Sequence, residues 1–163
     1  MSVLSTDIKL FKSASGAALS LGGAITATEI VSSTLNNLFD IVSSTESRDG
    51  DIEYRCFYVR NTNTSFTLQA AAIQIVSDTA SLTTRIAIGL GSSFVGGVEQ
   101  SVADEETAPI GVTFTNVEGN VLNIGNIPPN SFKAVWVRRT VNAGTAAATS
   151  DASTLRITGE TTA

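Results

Sequence analysis

One stretch limits the possible folds of this chain more than any other. Gly50 to Val76, GDIEYRCFYVRNTNTSFTLQAAAIQIV, reads as two long β-strands folded back on a short polar turn. It holds Tyr54, Phe57, Tyr58 and Phe66, four of the ten aromatic residues in the protein. Side chains alternate across a strand, so Tyr54, Cys56 and Tyr58 point one way while Glu53, Arg55, Phe57 and Val59 point the other. Both faces are partly apolar. Such a strand belongs between layers or under a partner, which predicts a β-sandwich that packs against something.

The rest of the chain fits that class. Its 163 residues are enough for one domain that buries about 70 % of its unfolded surface. Ser, Thr, Ala, Gly and Val abound and only 15 % of residues are charged, a balance suited to strands and tight turns more than to helices. Ten basic against fifteen acidic residues give a net charge of −5. That mean field repels a phosphate backbone, so nucleic acid is not an expected partner. Cys56 is the single cysteine, which rules out an intramolecular disulfide framework and reads as a small buried hydrophobe. The start, MSVLSTDIKLFKS, lacks a basic segment followed by an apolar run, and no stretch approaches the ~18 apolar residues of a membrane span. The expectation is a soluble protein made in the cytoplasm, with no membrane partner.

Along the chain, strands are expected at Asp7 to Lys12 and Ala24 to Ile30, with Ser13 to Gly23 as loop and edge. Asn36 to Val42 reads as a third strand or a single helical turn, and Ser43 to Asp51 as a polar turn cluster. After the aromatic pair, Thr84 to Leu90 alternates as a strand, and Ser92 to Pro109 is long enough to be functional or mobile. Val112 to Thr115, Val121 to Ile124, Phe132 to Val141 and Leu155 to Gly159 complete the strands. Turn signals at this spacing, without amphipathic helices between them, predict an all-β, single-domain antiparallel β-sandwich, jelly-roll or immunoglobulin-like, with long loops. The domain spans 1–163, with an extended N-terminal segment and a flexible 140–153 loop.

The chain has no histidine, which removes Ser-His and Cys-His nucleophilic pairs, imidazole metal ligands and the usual general base near neutral pH. Carboxylates remain. Asp49 and Asp51 around Gly50 read as turn residues, and Asp104, Glu105 and Glu106 as a solvated loop. No calcium-loop pattern surrounds them. Glycines at 22, 89, 91 and 96 read as turns, because no phosphate-loop lysine follows. Asn63-Thr64-Ser65 matches a glycosylation acceptor but reads as the turn itself. No catalytic residue, metal ligand or cofactor is expected. In FKAVWVRRT (Phe132 to Thr140), Ala134, Trp136 and Arg138 share one face and Val135, Val137 and Arg139 the other. The two arginines cannot make one basic patch, and Glu53 or Asp51 is placed to pair with them. Trp136 reads as a core anchor, with an interface role as the alternative.

The words LSLGGAIT (Leu19 to Thr26), LNNLFD (Leu35 to Asp40), EYRCFYVRN (Glu53 to Asn61) and VWVRRTVNAG (Val135 to Gly144), in that order, resemble a group of small virion structural proteins of tailed bacteriophages. The resemblance spans most of the chain and implies a β-sandwich component of the particle, without a catalytic residue to carry over. It leads to the expectation of a capsid decoration (cement) protein on the virion surface. Such a protein binds the major capsid protein and itself, as a homotrimer, gaining avidity from many weak sites. A tail, neck or fibre component is the alternative. A carbohydrate-binding module is a third reading, which requires Tyr54, Tyr58 or Trp136 to be exposed for stacking. Within the strands, Tyr54, Cys56, Tyr58 and Trp136 are expected to face the sandwich interior. Arg55, Phe57, Val59 and Arg139 are then left as the face for subunit or capsid contact.

Overall fold

The computed structural model describes residues 2–81, 83–146 and 150–161. A 3-10 turn at Ser5–Asp7 leads into β1 (Ile8–Ser13), β2 (Gly22–Gly23) and β3 (Ile25–Glu29). A short helix, α1 (Ser44–Asp49), precedes β4 (Asp51–Asn61), β5 (Leu68–Ser77), β6 (Thr84–Leu90) and β7 (Glu99–Ser101). The chain ends with β8 (Leu122–Ile127), β9 (Phe132–Val141) and β10 (Thr154–Glu160). One sheet has the order β3-β1-β4-β9-β6, a second β10-β5-β8, and β2 pairs with β7 as a small ribbon. Their pairings are antiparallel. The fold is an all-β sandwich, as the alternation and turn spacing predict. Among the described residues no helix is long and apolar enough to cross a membrane.

The two larger sheets close on one apolar core. Phe57 and Val59 of β4, Ile86 and Ile88 of β6, and Val135 and Val137 of β9 meet Leu68, Ala71, Ile73 and Ile75 of β5 and Ile124 and Ile127 of β8. Each Val, Leu, Ile or Phe side chain among them, once fully buried, contributes about 1.5–3 kcal/mol. A second cluster lies on the opposite face of the first sheet: Cys56, Tyr58, Ala134 and Trp136, roofed by Ile25, Val102, Val112, Phe114 and Phe132. The central strands β4 and β9 are thus covered on both sides, by a sheet on one and by loops on the other.

That arrangement corrects the reading of the aromatic stretch. β4 and β5 are not a hairpin: β4 lies between β1 and β9, while β5 lies between β10 and β8 in the other sheet. The connection at 62–67 carries the chain across the sandwich instead of turning it back. Side chains stabilise the crossing. Buried Asn61 donates from Nδ2 to the carbonyls of Phe66 (2.8 Å) and Ile127 (3.0 Å), and Asn63 Oδ1 accepts from the amides of Ser65 (2.9 Å) and Phe66 (2.8 Å). These bonds replace ladder bonds that a hairpin would have made. The turn polarity was visible in sequence, but polarity alone does not separate a hairpin from an arch.

Smaller departures have local causes. Ser43 to Asp51 contains α1 rather than only a turn, because Ser43 and Glu46 form a capping box: Glu46 N donates to Ser43 Oγ (3.2 Å) and Ser43 N to Glu46 Oε2 (2.7 Å). That S-x-x-E signal was legible in the chain. The helix stops at Gly50, at φ 83°, a conformation that favours glycine. Asn36 to Val42 forms neither strand nor helix, yet Leu38 and Phe39 pack against the main core. Val112 to Thr115 shrinks to a single bridge between Ile88 and Thr115. Of the loop expected at 140–153, residues 140–141 belong to β9 and 142–145 bond to one another and to Ser47 of α1, while 147–149 lie outside the described residues.

Candidate functional site

At one end of the inter-sheet face the apolar core gives way to charge. The β4–β9 register sets Glu53 opposite Arg139 and Arg55 opposite Val137, on the same face as Phe57 and Val59. Arg139 holds Glu53 Oε2 through both Nε and Nη2. It also donates from Nη1 to the Asp40 carbonyl at 2.7 Å and from Nη2 to Asp40 Oδ1 at 3.3 Å. Arg55 Nη2 pairs with the Glu105 carboxylate. The Phe39 ring lies beneath both guanidinium groups, 4.8 Å from Arg139 and 5.6 Å from Arg55, where its quadrupole attracts cations. Burial pushes Glu53 up to about 7, against the downward pull of Arg139 and Arg55. The network joins the core to the exposed Asp40 and the half-buried Glu105.

These positions overturn the expected division of faces. Arg55, Phe57, Val59 and Arg139, read as contact residues, are between 0 and 7 % exposed in the single chain and leave no surface for a partner. Phe57 and Val59 fill the main core, and the two arginines are consumed by their own acids. Tyr54, Cys56, Tyr58 and Trp136 point away from the second sheet, not into the sandwich interior. Cys56, Tyr58 and Trp136 are fully buried there under loops. Tyr54 is half-buried, tilted against Phe114 at 5.6 Å between ring centroids, with Arg138 over the same ring. The alternation was read correctly, but two apolar faces gave no means of choosing which one meets the second sheet. No exposed sugar-stacking platform forms from Tyr58 or Trp136.

On the loop-covered face, Tyr58 acts as a pin. Its hydroxyl donates to the Gly23 carbonyl and accepts from the Glu99 amide at 3.0 Å, joining β4 to the β2–β7 ribbon. Burial pushes this phenol up to about 12 and also raises the Cys56 thiol. The buried Glu99 carboxylate accepts from Ser92 N (3.2 Å), Ser92 Oγ (3.0 Å) and Ser93 N (2.9 Å). Burial alone would raise its pKa, but the bonds from Ser93 and Ser92 outweigh it and hold Glu99 at about 2. Lys133 donates from Nζ to the carbonyls of Gly91 (2.8 Å) and Ser93, and burial lowers its pKa. Gly91 is required in that corner, because a Cβ there would come within 2.7 Å of Ala134 Cβ and collide with the Glu99 carboxylate.

The far side of the same loop system is fastened by Gln100. Its amide donates to the Ile110 carbonyl (2.7 Å) and accepts from the Ile110 amide (2.8 Å). Held in this way, the segment from Gly91 to Gly111 carries Phe94, Val98 and Ile110 at 77, 66 and 84 % exposure. The length of Ser92 to Pro109, most of this segment, marked it as functional or mobile. What length did not reveal is that buried polar groups secure it while large apolar side chains face solvent. Large apolar side chains held out to solvent on a fastened segment make it a candidate contact surface.

The remaining sequence candidates fall into place around these two features. Asp49 pairs with Arg48 at 2.7 Å, whereas Asp51 approaches Glu46 and Glu53, one oxygen of each lying within 4.8 Å of the others. Glu105 leaves its solvated neighbours Asp104 and Glu106 to converge with Asp40 and Glu53 at the same spacing, around the two guanidinium groups. Glu53, at 1 % exposure, is out of reach of a substrate. Gly89 lies within β6 rather than in a turn; a Cβ there would meet Val112 Cγ1 at 2.6 Å. Asn63 is locked by its turn bonds and by donation to Asp7 Oδ2 at 2.9 Å. Asp40 and Phe39 escaped the sequence reading because their partners lie in distant parts of the chain. Comparison with family models, with curated proteins and with solved structures returns no match.

Proposed function

We propose that this chain is a non-enzymatic structural protein of a tailed-phage virion, a capsid decoration (cement) protein that binds the major capsid protein and stabilises the head. One observation carries the reading: a loop system fixed by Glu99, Tyr58, Lys133 and Gln100 presents Phe94, Val98 and Ile110 to solvent. A preordered apolar surface loses little conformational freedom on docking, so more of its contact energy appears as affinity. The sequence resemblance and the acidic, histidine-free composition favour adhesion to protein over catalysis or nucleic-acid binding. On a repeating shell, weak contacts of this size add through avidity, and a homotrimer would supply three at once.

Quantitative mass spectrometry of purified virions tests the proposal. A copy number matching the capsid lattice is expected, with purified protein co-sedimenting with expanded capsids and migrating as a trimer. A few copies per particle would move the protein to the tail, neck or fibre. Absence from the particle would end the structural reading.

A further inference from the structure

We propose that Glu46, Asp51 and Glu53 form a calcium site at the junction of α1 and β4, independently of whether the chain coats a capsid. One carboxylate oxygen of each lies within 4.8 Å of the others, a span that one ion can bridge with calcium–oxygen distances of about 2.3–2.6 Å. Two further features point to a cation. Glu53 is 1 % exposed, and its Oε2 is taken by Arg139, but its Oε1 has no hydrogen-bond partner. The Arg55 guanidinium stands off from that oxygen at 3.9 Å and is committed to Glu105. A buried anionic oxygen without a donor is costly, and native folds satisfy such atoms with a partner or an ion. The Asp51 carboxylate, half-buried beside it, takes no hydrogen bond or ion pair among the described residues.

Glu46 is preset for the same task. Its Oε2 accepts from Ser43 N at 2.7 Å in the capping box, which fixes the carboxylate in place beside Asp51 and Glu53. Three carboxylates thus converge, and the cations paired with them, Arg139 in direct contact and Arg55 at 3.9 Å, both lie on Glu53. The neighbouring triad of Asp40, Glu53 and Glu105 differs, since Arg55 and Arg139 already occupy the space between its acids. Calcium suits the arrangement better than magnesium. It accepts many oxygens in flexible geometry, whereas magnesium keeps most of its water and uses one or two carboxylates. Bound there, the ion would tie the helix to the first residues of the longest strand.

Calorimetric titration of the metal-free full chain with CaCl2, paired with thermal unfolding in CaCl2 and in EDTA, tests the site. One saturable site per chain and a higher Tm in calcium are expected. Glu46→Gln keeps the capping bond but removes the charge, and Asp51→Asn removes the charge at a half-buried position. Each is expected to weaken calcium binding about tenfold or more, while Glu106→Gln binds as the wild type does. In EDTA both site variants should be at least as stable as the wild type, because they relieve like-charge repulsion. Lack of saturable binding, or binding indifferent to both site variants, would overturn the proposal. Equal affinity for MgCl2 would overturn the assignment to calcium.

Discussion

Glu53 and Arg139 are direct register partners on β4 and β9, and the ion pair between them closes the apolar interior at one end. Both are buried, so the pair is held by mutual need more than by net gain. Arg139→Ala takes away the bonded partner of buried Glu53, leaving it only the Arg55 guanidinium at 3.9 Å, and is expected to cost about 3–5 kcal/mol. Replacing both residues together, Glu53→Leu with Arg139→Met, should restore most of that loss. Urea unfolding of the single and double variants checks it; a double variant as unstable as Arg139→Ala would contradict the account.

Trp136 is the largest side chain of the loop-covered cluster and is fully buried. Trp136→Ala is expected to destabilise by about 3–5 kcal/mol through cavity formation. Its indole Nε1 has no hydrogen-bond partner among the described residues, so Trp136→Phe loses volume alone and should cost clearly less. Equal losses in chemical denaturation would mean that the N–H is satisfied in solution.

Acid should loosen the loop that Glu99 holds. The carboxyl is depressed from 4.5 to about 2 in the fold, so its stabilising contribution is complete above the unfolded value and is lost as pH falls through the folded one. Thermal unfolding followed from pH 5 to pH 2, a range set by the linkage of folding to proton uptake at ~4.5, should show falling stability. Glu99→Gln should flatten that slope, with a lower starting stability. Protection factors of the Ser92 and Ser93 amides, taken relative to intrinsic exchange at each pH, should fall over the same interval.

Phe94 is exposed and contributes little to the folded core. Phe94→Asp should change unfolding stability by no more than about 0.5 kcal/mol while sharply reducing co-sedimentation with expanded capsids. Unchanged capsid binding would remove this loop from the proposed contact surface.

The class of fold was legible because alternation in β4 and β9 is local information. Cys56, Tyr58 and Trp136 were placed on one face, and Glu53 or Asp51 was named as a partner for Arg138 and Arg139; Glu53 is the one that pairs, with Arg139. Which face met the second sheet was not legible. Phe57 and Val59 on one side and Tyr58 and Trp136 on the other have comparable apolar bulk, and the choice depends on where β5 and the Val112–Phe114 segment arrive. The charge network was half-visible for a similar reason. Glu53 and Arg139 sit on regular strands whose pairing can be guessed, but Asp40 and Glu105 come from irregular segments that no periodicity announces. The exposed Phe94 carried no pattern at all; its position follows from Glu99, Lys133 and Gln100 acting across the fold.

The crossing between β4 and β5 also governs how the molecule must assemble. Two strands that are neighbours along the chain gain no ladder bonds from each other, so a rapid local hairpin cannot seed the sheet. β4 must instead recruit β1 and the distant β9, and β5 must wait for β8 and β10. Loop-closure entropy is spent before those contacts repay it, which places this chain among the slow-folding, high-contact-order β-proteins. Its longest strand is completed only after most of the polypeptide has been synthesised.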